Sequence, residues 1–198
     1  GQLGPRATGE QRVSALALLA NVGVSHALFA GILIAGIWLA EIPVRALGLE
    51  TDSIGLEAIA VGIAVGAALA AGNAALGRVV DADPSARLRE LLTPATTRGW
   101  ALLLAVVLPI IAGFEELLFR GILVGAFAAG FALSPWFLAV GSSIVFAAGH
   151  GAQGRLGIAV TGVLGLALAT VFVVTDSLLV VVIAHYIVNA VEFVDEHR

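Results

Sequence analysis

The sequence predicts an all-α, polytopic membrane protein: a bundle of about six transmembrane helices with a group of polar side chains inside it. The 198-residue chain is 60% hydrophobic and only 12% charged, whereas a soluble domain carries roughly 25% charged residues. Its mean hydropathy is +1.04, and several apolar windows exceed the ~18 residues that indicate a membrane-spanning helix. The 24 glycines and 6 prolines agree with this class, because both residues are commoner in transmembrane helices than in soluble ones.

Short polar segments divide the chain into six apolar spans. The first ends near Trp38, which is typical of the membrane interface, and Pro43 follows it in a short polar loop. In the second span, Gly62 and Gly66 offer a face for close helix packing. The predicted spans are residues 13–40, 54–76, 99–131, 136–149, 156–174 and 178–194.

The longest polar interval separates two parts of the chain. It covers residues 77–98, and residues 85–92 within it could form a short amphipathic helix on the membrane surface. We therefore divide the chain into residues 1–98, a polar tail with two transmembrane helices and a cytoplasmic linker, and residues 99–198, a core of four further spans.

Residues 99–131 are predicted to cross the membrane once, with a kink near Pro109 and Gly113. A single crossing leaves Arg45 alone on one side and Arg120 inside the membrane. The other arginines then share the opposite side: Arg6, Arg12, Arg78, Arg87, Arg89, Arg98, Arg155 and Arg198. This asymmetry follows the positive-inside rule, so we expect an integral membrane protein with both termini in the cytoplasm.

Three charged side chains interrupt the most apolar part of the chain. Glu115, Glu116 and Arg120 lie in a segment that is otherwise without ionisable residues from position 100 to 149. Charges at this depth are costly and seldom occur without a partner or a function. Glu116 and Arg120 are four residues apart and can pair on one helical face. Glu115 points about 100° away, which leaves it as the free carboxylate.

Two further spans each add a histidine with a companion four residues away. Phe146 can pack beside His150, and His185 projects together with Asn189. A carboxylate and an imidazole can together remove a proton from water. A second imidazole and an amide are donors suited to a developing oxyanion. Glu115, His150, His185 and Asn189 thus form a candidate catalytic set for attack of water on an amide bond, supported by Glu116, Arg120 and Phe146.

Other interpretations of these residues remain open at this stage. Each histidine could be a hydrogen-bonded packing residue, and Asp176 and Glu192 are interpreted as cap or interface residues. Glu115, His150 and His185 would also be an acceptable Zn²⁺ ligand set, although no His-Glu-x-x-His motif is present. Two non-proteolytic functions compete, a membrane binding or immunity protein and a proton-relay transporter. Nucleic-acid binding is not expected, because no basic patch is interleaved with aromatic residues.

In this order and spacing, the three motifs resemble the CPBP family of CAAX proteases and bacteriocin-processing membrane enzymes, also called the Abi family. They are Glu115-Glu116-x-x-x-Arg120, Phe146-x-x-x-His150 and His185-x-x-x-Asn189. The resemblance covers roughly residues 100–194 and implies an intramembrane endopeptidase, often labelled a metalloprotease.

Several expectations follow from this resemblance. Glu115 and His150 would activate the water, His185 and Asn189 would hold the oxyanion, and Glu116 with Arg120 would support the site. The mechanism implied requires no cofactor, with Zn²⁺ as the alternative. The partners implied are the lipid bilayer and a membrane-associated or lipidated peptide. Because the chain is shorter than the prenyl-processing members, the resemblance favours a prokaryotic-type relative with other protein substrates.

Overall fold

The computed structural model describes residues 15–50, 53–80 and 86–196, and every regular element in this part is helical. Five helices are long and apolar enough to cross a membrane, and a shorter apolar helix adds a sixth. The all-α bundle predicted from composition is therefore confirmed. We number the helices α1 Ala15–Leu39, α2 Leu56–Val80, α3 Ala86–Leu92, α4 Thr97–Phe131, α5 Pro135–Gly149, α6 Gly154–Thr175 and α7 Leu178–Glu196.

Helix α4 is continuous, as the single predicted crossing requires, and its irregular parts flank the positions where the sequence predicted a kink. The helix around Pro109 and Gly113 is regular, and π-helical turns lie on both sides of it, at Leu103–Val107 and Leu117–Ala126. The first π-helical turn ends two residues before Pro109, which has no N–H to donate to the carbonyl four residues earlier. Such turns are rare and often occur at functional sites.

The predicted glycine face of α2 packs closely against α7. A Cβ atom on Gly62 would lie 2.9 Å from Cβ of Ile183, and one on Gly66 would lie 2.9 Å from Cα of Ala184. Only glycine allows the two backbones to approach this closely. Helix α2 therefore fixes the helix that carries His185 and Asn189.

Two apolar clusters divide the core along the bundle. The first lies between the second half of α4, α6 and the first half of α7, and includes Leu117, Val124, Leu168, Phe172, Leu178, Val181 and Ala184. The second joins α1 and α3 to the first half of α4 and the end of α7, and includes Leu19, Leu92, Leu103, Val107, Leu108 and Phe193. Glu115 and Glu116 of α4, and His185 and Asn189 of α7, lie between the two clusters along the sequence.

The polar linker contains the short helix that the sequence predicted. Helix α3 is partly buried against the bundle, whereas the sequence predicted a helix on the membrane surface. Arg89 and Leu92 are buried, while Glu90 and Leu91 are exposed. One face therefore belongs to the core at the end of the bundle where α1 and α7 also pack.

The predicted polar tail and His197, expected to be a solvated residue, lie outside the described residues, and the predicted orientation of the termini stays a prediction.

Helix α5 is the shortest of the six apolar helices. It has 15 residues, begins with Pro135 after an extended Ser134, and ends at Gly149. The 3₁₀ turn Gly151–Gln153 then leads directly into α6. His150 lies between the end of α5 and this 3₁₀ turn.

Candidate active site

Glu116 and Arg120 form the ion pair that their spacing predicts. Arg120 Nη1 donates to Glu116 Oε1 at 2.8 Å, and both side chains are fully buried. Arg120 also donates through Nη2 to the Gly165 carbonyl of α6 at 2.7 Å. Its guanidinium carbon lies 4.8 Å from the centre of the Phe146 ring, a cation–π distance. Arg120 thus connects α4 to both α5 and α6.

Gly165 provides the space for this arrangement. A Cβ atom at this position would lie 2.9 Å from Cδ1 of Phe146 and 3.5 Å from Nη2 of Arg120. Real Cβ atoms essentially never make a contact as short as the first of these. The glycine therefore lets the aromatic ring and the guanidinium approach the backbone of α6 together.

His185 lies between the two neighbouring carboxylates of α4. Its Nδ1 is 2.6 Å from Glu116 Oε1, and its Nε2 is 3.6 Å from Glu115 Oε2. The sequence predicted the Glu116–Arg120 pair and left Glu115 free, whereas in the structure His185 faces both carboxylates. Adjacent helical residues project about 100° apart, so an imidazole placed between them can face one carboxylate with each nitrogen.

His150 lies at the end of α5 with one ring nitrogen engaged. Its Nδ1 donates to the Phe146 carbonyl at 2.8 Å, since a carbonyl can only accept. In the neutral ring this assigns the hydrogen to Nδ1 and leaves Nε2 as an acceptor. No hydrogen bond or ion pair joins His150 directly to Glu115 within the part of the chain that the structure describes.

Phe146 connects the two histidines. Its ring centre lies 4.6 Å from that of His150 and 6.1 Å from that of His185, and the ring is buried. The same ring packs edge-on against Phe119 of α4 at 4.9 Å. The predicted packing of Phe146 beside His150 is present, and the ring also carries the contact to Arg120.

Asn189 lies one turn beyond His185 on α7 and is partly exposed. Among residues 15–50, 53–80 and 86–196, none makes a hydrogen bond with its amide. The structure therefore gathers Glu115, Glu116, Arg120 and His185 into one cluster. His150 adjoins this cluster through Phe146, and Asn189 adjoins it along α7.

The alternative metal site is not assembled in this arrangement. Within the described ranges, no group of three or more His, Asp or Glu side chains is placed to hold a metal ion. The two nitrogens of His185 face Glu116 and Glu115 instead. The set Glu115, His150 and His185 does not fit a bound Zn²⁺ in this geometry, and we derive no step through a metal.

Other polar contacts near the site were not predicted. Glu192, interpreted from the sequence as a cap or interface residue, accepts a hydrogen bond from Asn73 of α2 and pairs with Arg89 of α3 at 3.4 Å. Its spacing from His185 and Asn189 places all three on one face of α7, which is the signal that could have grouped them. By contrast, the Asp176 backbone ends α6 with a φ of 48°, as expected for a helix cap.

Comparison with known protein families decides the assignment. Residues 97–191 match the type II CAAX prenyl endopeptidase Rce1-like family. This part of the chain belongs to the Rce1-like family. No curated protein and no solved structure matches the chain. The matched segment holds every candidate site residue, and membership in the Rce1-like family implies an integral membrane protease that acts on peptides.

Proposed function

We propose that this protein is an intramembrane endopeptidase that hydrolyses peptide bonds of membrane-associated substrates, with Glu115 and His150 activating the attacking water. The observation that carries the proposal is the placement of His185 between Glu115 and Glu116 inside the Rce1-like segment. This arrangement puts a carboxylate, an imidazole and a buried cation in one apolar bundle, where electrostatic interactions are stronger than in water.

Glu115 is the general base in this proposal. Its side chain is 13% exposed, whereas that of Glu116 is fully buried and accepts from Arg120 and His185. Glu115 therefore has room beside it for a water molecule, and it can return the proton to the leaving amine. The Nε2 acceptor of His150 is the second group available to orient or deprotonate that water.

His185 and Asn189 are the oxyanion donors in this proposal. If Nδ1 of His185 donates to Glu116, Nε2 can donate to an oxyanion only when both ring nitrogens carry hydrogen. Two carboxylates and one arginine surround this ring, so a protonated His185 would make the cluster electrically neutral. The side-chain amide of Asn189 is a second donor on the same helical face.

The proposed substrate is a membrane-associated peptide, with or without a lipid group, that reaches the site from the membrane. The proposed chemistry needs no metal, and we propose that the chain resides in a prokaryotic cell membrane with both termini in the cytoplasm. The arginine distribution supports this orientation.

Cleavage of a labelled membrane-anchored peptide by the purified protein in liposomes tests the proposal. We expect Glu115→Gln and His150→Ala each to lower the cleavage rate by about 10²–10⁴-fold, the usual contribution of a general base. Glu57→Gln, an exposed carboxylate at the start of α2, is the matched control. A Glu115→Gln variant with full cleavage activity would sink the role of Glu115 as the general base. A parent protein that cleaves no peptide would instead favour the binding or immunity function.

A further inference from the structure

Two adjacent serines on α5 make different kinds of hydrogen bond. Ser142 and Ser143 are 4% and 5% exposed. Ser143 Oγ donates at 2.6 Å to the carbonyl of Ala139, within its own helix. Ser142 Oγ donates at the same distance to the carbonyl of Phe119 on α4. Of these two hydroxyls, the one on Ser142 therefore joins α5 to α4, the helix that carries the charged cluster.

Ser142 shares a face of α5 with two residues of the candidate site. Phe146 and His150 follow it at intervals of four residues, so the three side chains lie along one stripe of the helix. One turn beyond Ser142, the Phe146 ring packs on Phe119 and under Arg120. The Ser142 bond thus lies at one end of the stripe, and His150 lies at the other.

The acceptor of this bond belongs to an unusual part of α4. Phe119 lies in the π-helical turns Leu117–Ala126, directly before Arg120. A π-helical turn is a rare conformation that is frequently found at functional sites. A carbonyl oxygen has two lone pairs and can accept the hydroxyl in addition to a helical bond. The Ser142 bond therefore attaches α5 to the π-helical turn of α4, immediately beside the buried Arg120.

We propose that Ser142 is a positioning residue of the active site: it sets the register of α5 on the π-helical turn of α4. In this register Phe146 lies under Arg120, and His150 packs against the Phe146 ring, which also contacts His185. Ser142 does not touch the reacting atoms. This inference rests on the proposed peptidase function.

Four variants test the role of the hydroxyl: Ser142→Ala, the isosteric pair Ser142→Thr and Ser142→Val, and the control Ser143→Ala. In the liposome cleavage assay, Ser142→Ala and Ser142→Val should lower kcat about ten-fold, or about 1.4 kcal/mol, with KM unchanged. Ser142→Thr should recover most of kcat, and Ser143→Ala should match the parent protein. If Ser142→Ala does not fold, the Thr and Val variants differ only in the hydroxyl and decide the question.

A second measurement does not depend on catalysis. Nitrogen-15 NMR of the histidine side chains should show altered resonances for His150 and His185 in Ser142→Val, and unaltered ones in Ser142→Thr and Ser143→Ala. Equal kcat in the Thr and Val variants, or equal losses in Ser142→Ala and Ser143→Ala, would overturn the inference and leave the peptidase proposal standing. A parent protein that cleaves no peptide would instead defeat the proposed function, and the NMR comparison would still decide the role of Ser142.

Discussion

His185 Nδ1 lies 2.6 Å from Glu116 Oε1, and both side chains are buried. The same carboxylate oxygen accepts from Arg120 at 2.8 Å. Arg120 of α4 and His185 of α7 therefore share one carboxylate oxygen of Glu116. A change at Glu116 removes a hydrogen-bond partner from both Arg120 and His185, and the loss of a partner by a buried polar group is costly.

The first prediction concerns the charge of Glu116. Glu116→Gln removes the carboxylate that pairs with the fully buried Arg120, and breaking a buried pair from one side costs about 3–5 kcal/mol. We expect a markedly lower thermal unfolding midpoint in detergent together with loss of cleavage. Glu57→Gln, which changes an exposed carboxylate, should leave the midpoint in place. A Glu116→Gln protein as stable as its parent would show that the pair does not stabilise the bundle.

A second prediction uses the glycine that faces Arg120. Gly165→Ala places a Cβ atom 2.9 Å from the Phe146 ring, so the ring or α6 must shift, at a cost of about 1–3 kcal/mol. Both stability and cleavage should fall, since the carbonyl of Gly165 also accepts from Arg120. Gly141→Ala is the matched control, because nothing lies within 4 Å of its added Cβ atom. Similar losses in the two variants would rule out a specific role for the space at Gly165.

The third prediction tests the close packing of α2 and α7. Gly66→Ala brings a Cβ atom within 2.9 Å of the Ala184 backbone, next to His185. We expect α7 to move away from α2, with a loss of stability of about 1–3 kcal/mol and reduced cleavage. Gly72→Ala on the same helix adds its methyl group to open space and should be silent. Equal unfolding midpoints for the two variants would contradict this account.

A fourth prediction addresses metal dependence. Because the described side chains do not form a metal-binding group, exhaustive chelation should leave the cleavage rate unchanged. Elemental analysis of the same sample must show that Zn²⁺ has been removed. Activity that disappears on chelation and returns when Zn²⁺ is added would instead establish a metal site that forms with substrate or by rearrangement of His150 and His185.

Local spacing predicted much of this site, and tertiary contacts account for what it missed. The four-residue interval between Glu116 and Arg120 identified their pair, because that interval is set by the helix itself. The position of His185 between two carboxylates depends on how α7 packs on α4, which no local pattern encodes. Likewise, Ser142 and Ser143 are equivalent in sequence, and only the neighbouring helix distinguishes them. The π-helical turns were missed for a related reason, since hydrophobic periodicity does not reveal one extra residue in a turn.

The short length of α5 has a consequence for the surrounding lipid. Fifteen residues span about 22 Å at 1.5 Å per residue, whereas the hydrocarbon layer is about 30 Å thick. One end of α5 must therefore lie below the level of the headgroups, or the bilayer must thin around it. If the recessed end is the one at His150, the polar turn that follows lies in a hydrated depression. Water, which the proposed hydrolysis consumes, would then reach the site through the locally thinned bilayer, without a dedicated channel.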